Sequence, residues 1–197
     1  MNRFYRFAYT ILAPILRGMF RMEIIGKENL PAGGALICPN HSSNWDPLLM
    51  LAALPIDYHL RCMAKDSLFR IPVLSKIILH CGGFPVARGQ SDIQAVKTAL
   101  KVIKDGENLL IFPEGTRVAY EGEARAKGGV SMIAVRSGAV IIPAFITREK
   151  KLFKKVRIIF GEEYHPVYAG RKPTPEENQQ IADEILECAY ALGRDHA

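Results

Sequence analysis

The chain has 197 residues, 49% of them hydrophobic and 23% charged, with a formal net charge of +6. It is long enough for one domain with a real core and too apolar for wholesale disorder, and its basic balance points to an anionic partner: nucleic acid, an anionic membrane or a phosphorylated substrate. Cys38, Cys62, Cys81 and Cys188 show no paired Cys-x-x-Cys spacing and follow no secretory cleavage pattern, so reduced thiols in a cytoplasmic protein are expected, with no metal site.

In chain order, the first apolar stretch covers residues 7–16 and contains Pro14. Aromatic residues and Arg3, Arg6, Arg17 and Arg21 surround it. No stretch reaches the ~18–20 apolar residues of a membrane span. Residues 1–22 are expected to be an amphipathic membrane-docking segment, with rings in the headgroup region and arginines on lipid phosphates. A helix covering the core is the alternative.

Residues 23–197 read as one domain without repeats or linkers. A buried strand is expected at 35–38, then a helix at 47–54 with Asp46 as its cap and Pro47 at its first position. A strand at 59–64, a helix at 72–80 and a short strand at 84–87 follow. Ser91 and Gln94 make a capping box for a helix with Ile93, Val96, Leu100 and Ile103 on one face, stopped by Gly106. After it come a strand at 108–112, a helix at 129–136 closed by Gly138, and strands at 140–145 and 156–160. Thr174 and Glu177 cap a last helix striped by Ile181, Ile185, Cys188, Ala189 and Leu192. The alternation predicts an α/β fold: a single layered domain, its mixed, mostly parallel sheet flanked by helices. In such sheets ligands gather beyond the strand ends.

The loops there carry the chemistry. His41 and Asp46 lie five apart between a buried strand and a helix, close enough for the carboxylate to fix one ring nitrogen while the other takes a proton from a hydroxyl. This is the His-Asp half of a serine-type triad, with the substrate free to supply the nucleophile. In the Gly82–Gly89 run, glycines let backbone approach a ligand and Arg88 suits a phosphate. In the run FPEGTR, Arg117 could bind phosphate and Glu114 could pair with Arg117 or Arg88, with Gly115 permitting a sharp bend. Lys127-Gly128-Gly129 before a helix attracts anions. No phosphate-loop or dinucleotide fingerprint is present. A basic run, Arg148, Lys150, Lys151, Lys154, Lys155 and Arg157, reads as a charged outer face or a second docking patch.

His41 to Asp46, the glycine-rich run ending in Arg88, FPEGTR and the apolar run 141–145 occur in that order. Together they resemble the four ordered motifs of the glycerolipid acyltransferase family, in particular 1-acylglycerol-3-phosphate (lysophosphatidic acid) acyltransferases. Residues 64–69 also resemble a stretch between the first two motifs. The likeness covers about residues 35–146. It implies an enzyme that moves a fatty acyl group from a thioester donor, acyl-carrier protein or acyl-coenzyme A, to a lysophosphatidic acid hydroxyl. The product is phosphatidic acid for phospholipid biosynthesis; glycerol-3-phosphate or another lysophospholipid is the alternative acceptor. His41 would be the general base and Asp46 its orienting group. Arg88, Glu114, Gly115, Thr116 and Arg117 would bind the acceptor, with Lys65 or amides near His41 serving the oxyanion. Ala87 departs from the polar residue often found there. No cofactor is implied, and the protein would sit as a peripheral protein on the cytoplasmic, anionic face of the cell membrane. A nucleic-acid module is disfavoured because Phe153 is the only aromatic residue among the 151–155 lysines.

Overall fold

The computed structural model describes residues 3–58, 60–87 and 92–196. In chain order the elements are α1 (Arg3–Met19), β1 (Glu23–Ile25), β2 (Ala35–Pro39), α2 (Asp46–Ala53), β3 (Leu60–Lys65), α3 (Pro72–His80) and β4 (Gly83–Val86). They continue with α4 (Ile93–Lys104), β5 (Asn108–Leu110), α5 (Gly129–Ser137), β6 (Val140–Ile146), β7 (Arg157–Phe160) and α6 (Pro175–Asp195). One seven-stranded sheet has the order β1-β7-β6-β2-β5-β3-β4. The five strands from β6 to β4 are mutually parallel, β7 runs against β6, and β1 runs with β7. This is the mixed, mostly parallel sheet expected from the alternating pattern. Strand β1 escapes that pattern because three residues are too few to show a period.

The central strand β2 is buried throughout because both faces of the sheet are covered. Its alternation sends Ala35 and Ile37 toward α1 and α2, and Leu36 and Cys38 toward α4, α5 and α6. Strand β6 divides likewise, with Ile142, Ala144 and Ile146 on the first side and Ile141 on the second. The helices after β2 and after β5 therefore leave on opposite faces, which opens a crevice where these adjacent strands end.

Helix α1 is apolar on two sides. Tyr5, Ala13 and Leu16 are buried in the domain, while Phe7, Ile11, Leu12 and Ile15 face outward. Two of its arginines are turned to protein partners: Arg6 pairs with Asp57 at 3.0 Å, and Arg17 Nε donates to the Ala52 carbonyl at 2.7 Å. The helix thus covers the core, the alternative read from the sequence, and still leaves an apolar outer face. Among the described residues no helix is long and apolar enough to cross a membrane.

Two caps differ from expectation. Helix α4 is capped by Asp92, whose carboxylate accepts from Ala95 N at 2.9 Å and Ala87 N at 2.7 Å; the expected cap Ser91 lies outside the described residues. The Asp46 carboxylate does not cap α2 and turns back into the preceding loop. The Thr174–Glu177 capping box on α6 forms as read from the sequence.

Candidate active site

Parallel strands bring their C-terminal ends to one edge, so the loops after β2, β5 and β6 meet there although they are distant in sequence. Asn40, fully buried, fixes the first of them. Its side chain donates to the Ile146 carbonyl at 3.1 Å and accepts from Ile146 N at 2.7 Å, extending the β2–β6 pairing by an amide on a side chain.

The loop then places His41 Nδ1 2.9 Å from Asp46 Oδ2. The same oxygen accepts from Ser42 N and Ser43 N, each at 2.7 Å. An ionised carboxylate only accepts, so Nδ1 carries the ring proton and Nε2 is the nitrogen left for proton transfer. Burial would push the Asp46 carboxyl up, but His41, Lys150 and the Ser43 amide outweigh it and hold it below the usual carboxylate range. The imidazole lies against the Phe112 ring, with centroids 4.0 Å apart and planes 22° apart.

The other Asp46 oxygen, Oδ1, faces Lys150 Nζ at 2.5 Å. The Lys150 side chain is only 2% exposed. The contact is a charge pair; the well-aligned donation of this ammonium goes to Ser42 Oγ at 2.6 Å. Sequence reading put Lys150 on a charged outer face. The fold turns it inward, and Arg148 beside it stacks its guanidinium over Tyr190, 5.5 Å from the ring centre.

Glu114 is fully buried. Its Oε1 accepts from His41 N at 3.1 Å and from the Tyr190 hydroxyl at 2.8 Å. The expected pairing of Glu114 with Arg117 is not formed, because Arg117 Nη1 donates to Asn44 Oδ1 at 2.7 Å instead. Glu114 therefore braces the histidine backbone, and burial raises its carboxyl against the pull of Tyr190, the His41 amide and Arg148. Gly115 bends at a positive φ of 65°, and a Cβ there would meet the Lys127 side chain at 2.9 Å. Thr116, Arg117 and Lys65 are exposed along this edge. Arg88 lies outside the described residues. The amides of His41, Ser42 and Ser43 are taken by Glu114 and Asp46, so they do not provide the free donors for an oxyanion that the sequence reading allowed.

Next to this cluster an apolar groove of about 810 Å³ runs between α4 and α5. Ile93, Val96, Leu100, Val130 and Ile133 line it, and it reaches Phe112, Pro113 and Gly115 of the site loop. Phe112 thus stands between the groove and the imidazole. Lys97, Lys127 and Arg136 also line it.

Sequence reasoning missed Asn40, Lys150, Arg148 and Tyr190. Only Tyr190 left a trace, as the residue four beyond Leu186 on the buried side of α6.

The sequence model of the acyltransferase family matches residues 21–147. The chain belongs to that family. It is 30% identical over 186 residues to the 1-acyl-sn-glycerol-3-phosphate acyltransferase of Bacillus subtilis, covering 92% of each chain. It is 33% identical over 176 residues to the protein of the same name from Borreliella burgdorferi, covering 84% of this chain and 68% of that one. The crystal structure of the 1-acyl-sn-glycerophosphate (LPA) acyltransferase PlsC from Thermotoga maritima superposes with a TM-score of 0.66 at 21% identity. The match covers 100% of this chain and 85% of that one, which establishes the shared fold. Membership makes the chain an acyltransferase enzyme, and its motif residues His41, Asp46 and Glu114 meet in one buried cluster beside an apolar groove.

Proposed function

We propose that the protein transfers a fatty acyl group from a thioester, acyl-carrier protein or acyl-coenzyme A, to the free hydroxyl of 1-acylglycerol-3-phosphate, giving phosphatidic acid. The observation that carries this is the His41–Asp46 pair, 2.9 Å apart and buried, opening beside a groove large enough for an alkyl chain. The relatives' names supply the acceptor.

In the proposed step His41 Nε2 takes the proton of the acceptor hydroxyl as its oxygen attacks the thioester carbonyl. Negative charge collects on the carbonyl oxygen, and the exposed Lys65 ammonium is the group proposed to face it. The C–S bond then breaks and His41 returns the proton to the thiolate. No acyl-enzyme is needed. Arg117, with Arg88, Gly115 and Thr116, is proposed to hold the acceptor phosphate, a guanidinium fork suiting two phosphate oxygens. Glu114 is proposed to serve that site from behind, through the His41 backbone.

Acceptor and product are lipids, so the reaction is proposed to take place on the anionic, cytoplasmic face of a membrane. The outward Phe7, Ile11, Leu12 and Ile15 of α1 support this, since an apolar helical face with no protein cover suits an interface. Removing residues 1–20 should release the protein from anionic vesicles in a flotation assay; persistence there contradicts the docking role. For the reaction, lysophosphatidic acid is offered with each donor in turn. Phosphatidic acid from at least one donor is expected. Phosphatidic acid from neither, with release of free fatty acid when no acceptor is present, makes the protein a hydrolase. Faster turnover with glycerol-3-phosphate or a larger lysolipid reassigns the acceptor.

A further inference from the structure

The loop after β6 carries a buried lysine, Lys150. Its side chain is 2% exposed, it faces Asp46 Oδ1 at 2.5 Å, and it is tied to Ser42 Oγ at 2.6 Å. Being buried, it cannot reach a substrate. Being charged, it is costly to bury without a partner. Asp46 therefore sits between two basic groups, with His41 on one oxygen and Lys150 on the other. The remaining charged or titratable groups around them are Glu114 from the loop after β5, Arg148 beside Lys150, and Tyr190 on α6. Glu114 and Arg148 carry opposite charges, so Lys150 is the cation that answers Asp46.

We propose that Lys150 is a positioning residue that neutralises Asp46, so that the carboxylate fixes the imidazole ring and its tautomer without drawing a proton onto it. With Lys150 present, Asp46 and Lys150 sum to zero, and a proton added to His41 leaves a net positive charge in a buried site. With Lys150 removed, Asp46 and His41 sum to zero only when His41 is protonated. A bare Asp-His pair would hold the ring equally well, but it would favour the imidazolium, which cannot accept the proton of a hydroxyl. Lys150 thus separates two effects of the carboxylate, orientation and proton affinity, and keeps the first. The shift of Lys150 agrees: burial pushes its ammonium below the ordinary lysine range while Asp46 pulls it back.

This inference rests on His41 being the base of the proposed reaction, and its test reads the imidazole directly. Full-length protein carrying ¹⁵N-histidine is titrated by NMR as wild type, Lys150→Met and Lys150→Arg, with His41 assigned by the signal lost in His41→Gln. In Lys150→Met the His41 titration midpoint should rise by about one pH unit or more, a roughly tenfold gain in proton affinity. Lys150→Arg keeps the charge and should stay near wild type. In the transfer assay the acidic limb of kcat/KM should move by the same amount, with activity lost near neutrality and regained at alkaline pH. An unmoved midpoint in folded Lys150→Met overturns the proposal, and so does a Lys150→Arg that behaves like Lys150→Met. If the midpoint moves but wild type transfers no acyl group, the charge relation stands and the reading of the reaction falls. Should Lys150→Met not fold, the pair is read from the other side. In Asp46→Asn the Lys150 ammonium, followed by its ¹³Cε signal, should titrate at lower pH than in wild type, and an unmoved signal overturns the pairing.

Discussion

The charges along the sheet's C-terminal edge fall into two regions. Around His41 the charges are buried: Asp46 is answered by Ser42, Ser43, His41 and Lys150, and Glu114 Oε1 by Tyr190 and the His41 amide, while Glu114 Oε2 and Arg148 Nε and Nη2 have no hydrogen-bond partner among the described residues. Elsewhere along this edge the cations Lys65, Arg117 and Lys127 and the neutral Thr116 stand exposed. The first region suits the proposed reaction, with groups locked at low dielectric and little left to reorganise. The second suits the proposed capture of a phosphate, because a cation already tied to a carboxylate would attract one poorly. The same residue types serve either end according to which loop carries them.

Substitutions can break this division, and the largest effect should come from the interior. His41→Ala is expected to lower kcat by about a hundredfold to ten-thousandfold, the usual worth of a general base. Its thermal transition should stay close to wild type, read by circular dichroism, because Asp46 and Lys150 still answer each other. Activity within tenfold of wild type would remove His41 from the chemistry.

Asp46→Asn should be felt both in rate and in stability. It leaves the Lys150 ammonium buried without its counter-charge, a loss of about 3–5 kcal/mol for a broken buried pair. The pH dependence has a definite sign. The folded carboxyl is held below its ordinary value of 3.8, so the folded state binds its proton less readily than the unfolded state. The contribution of Asp46 is full above that value and disappears as the pH falls through the folded-state value. The stability gap between wild type and variant in denaturant melts should therefore stay constant while the pH is well above 3.8 and narrow only as the pH is lowered below it. A gap that widens toward acid would mean the carboxyl is raised.

Tyr190→Phe should cost less. It removes one of the two donors to the buried Glu114 Oε1, worth about 1–3 kcal/mol, and should lower kcat more than it raises KM, because Glu114 acts through the His41 backbone. A pure KM effect would move Glu114 into the capture region. The smallest effect is expected from Arg117→Lys. The charge is kept and the two-pronged geometry lost, so the acceptor KM should rise less than about tenfold at nearly constant kcat. An unchanged KM would take Arg117 out of phosphate binding.

Much of this was legible in the sequence, for identifiable reasons. The buried strands announced themselves as apolar runs with punctuation, α6 by Thr174 and Glu177, and the contact of His41 with Asp46 by its spacing across a strand-to-helix loop. What stayed hidden depends on which way a side chain turns after the fold forms. Lys150 and Arg148 stand in a run of cations that reads as a solvated face, and only the adjacency of β6 to β2 sends them inward. Glu114 looked like half of a surface ion pair because its true partners, a backbone amide and Tyr190, are 73 and 76 residues away. Helix α1 is apolar on two sides, and its apolar pattern alone does not tell which side is buried.

The Asn40 amide, lodged between strands as a piece of borrowed backbone, belongs to a set of contacts that tie chain ends together. Ser42 meets Lys150 across 108 residues, and Tyr190 lies on the last helix. Closing such long loops costs entropy that is recovered only when both partners are in place. His41 and Asp46 can therefore meet within one short loop, but the brace from Glu114 and Tyr190 and the counter-charge from Lys150 exist only once distant parts of the chain have come together.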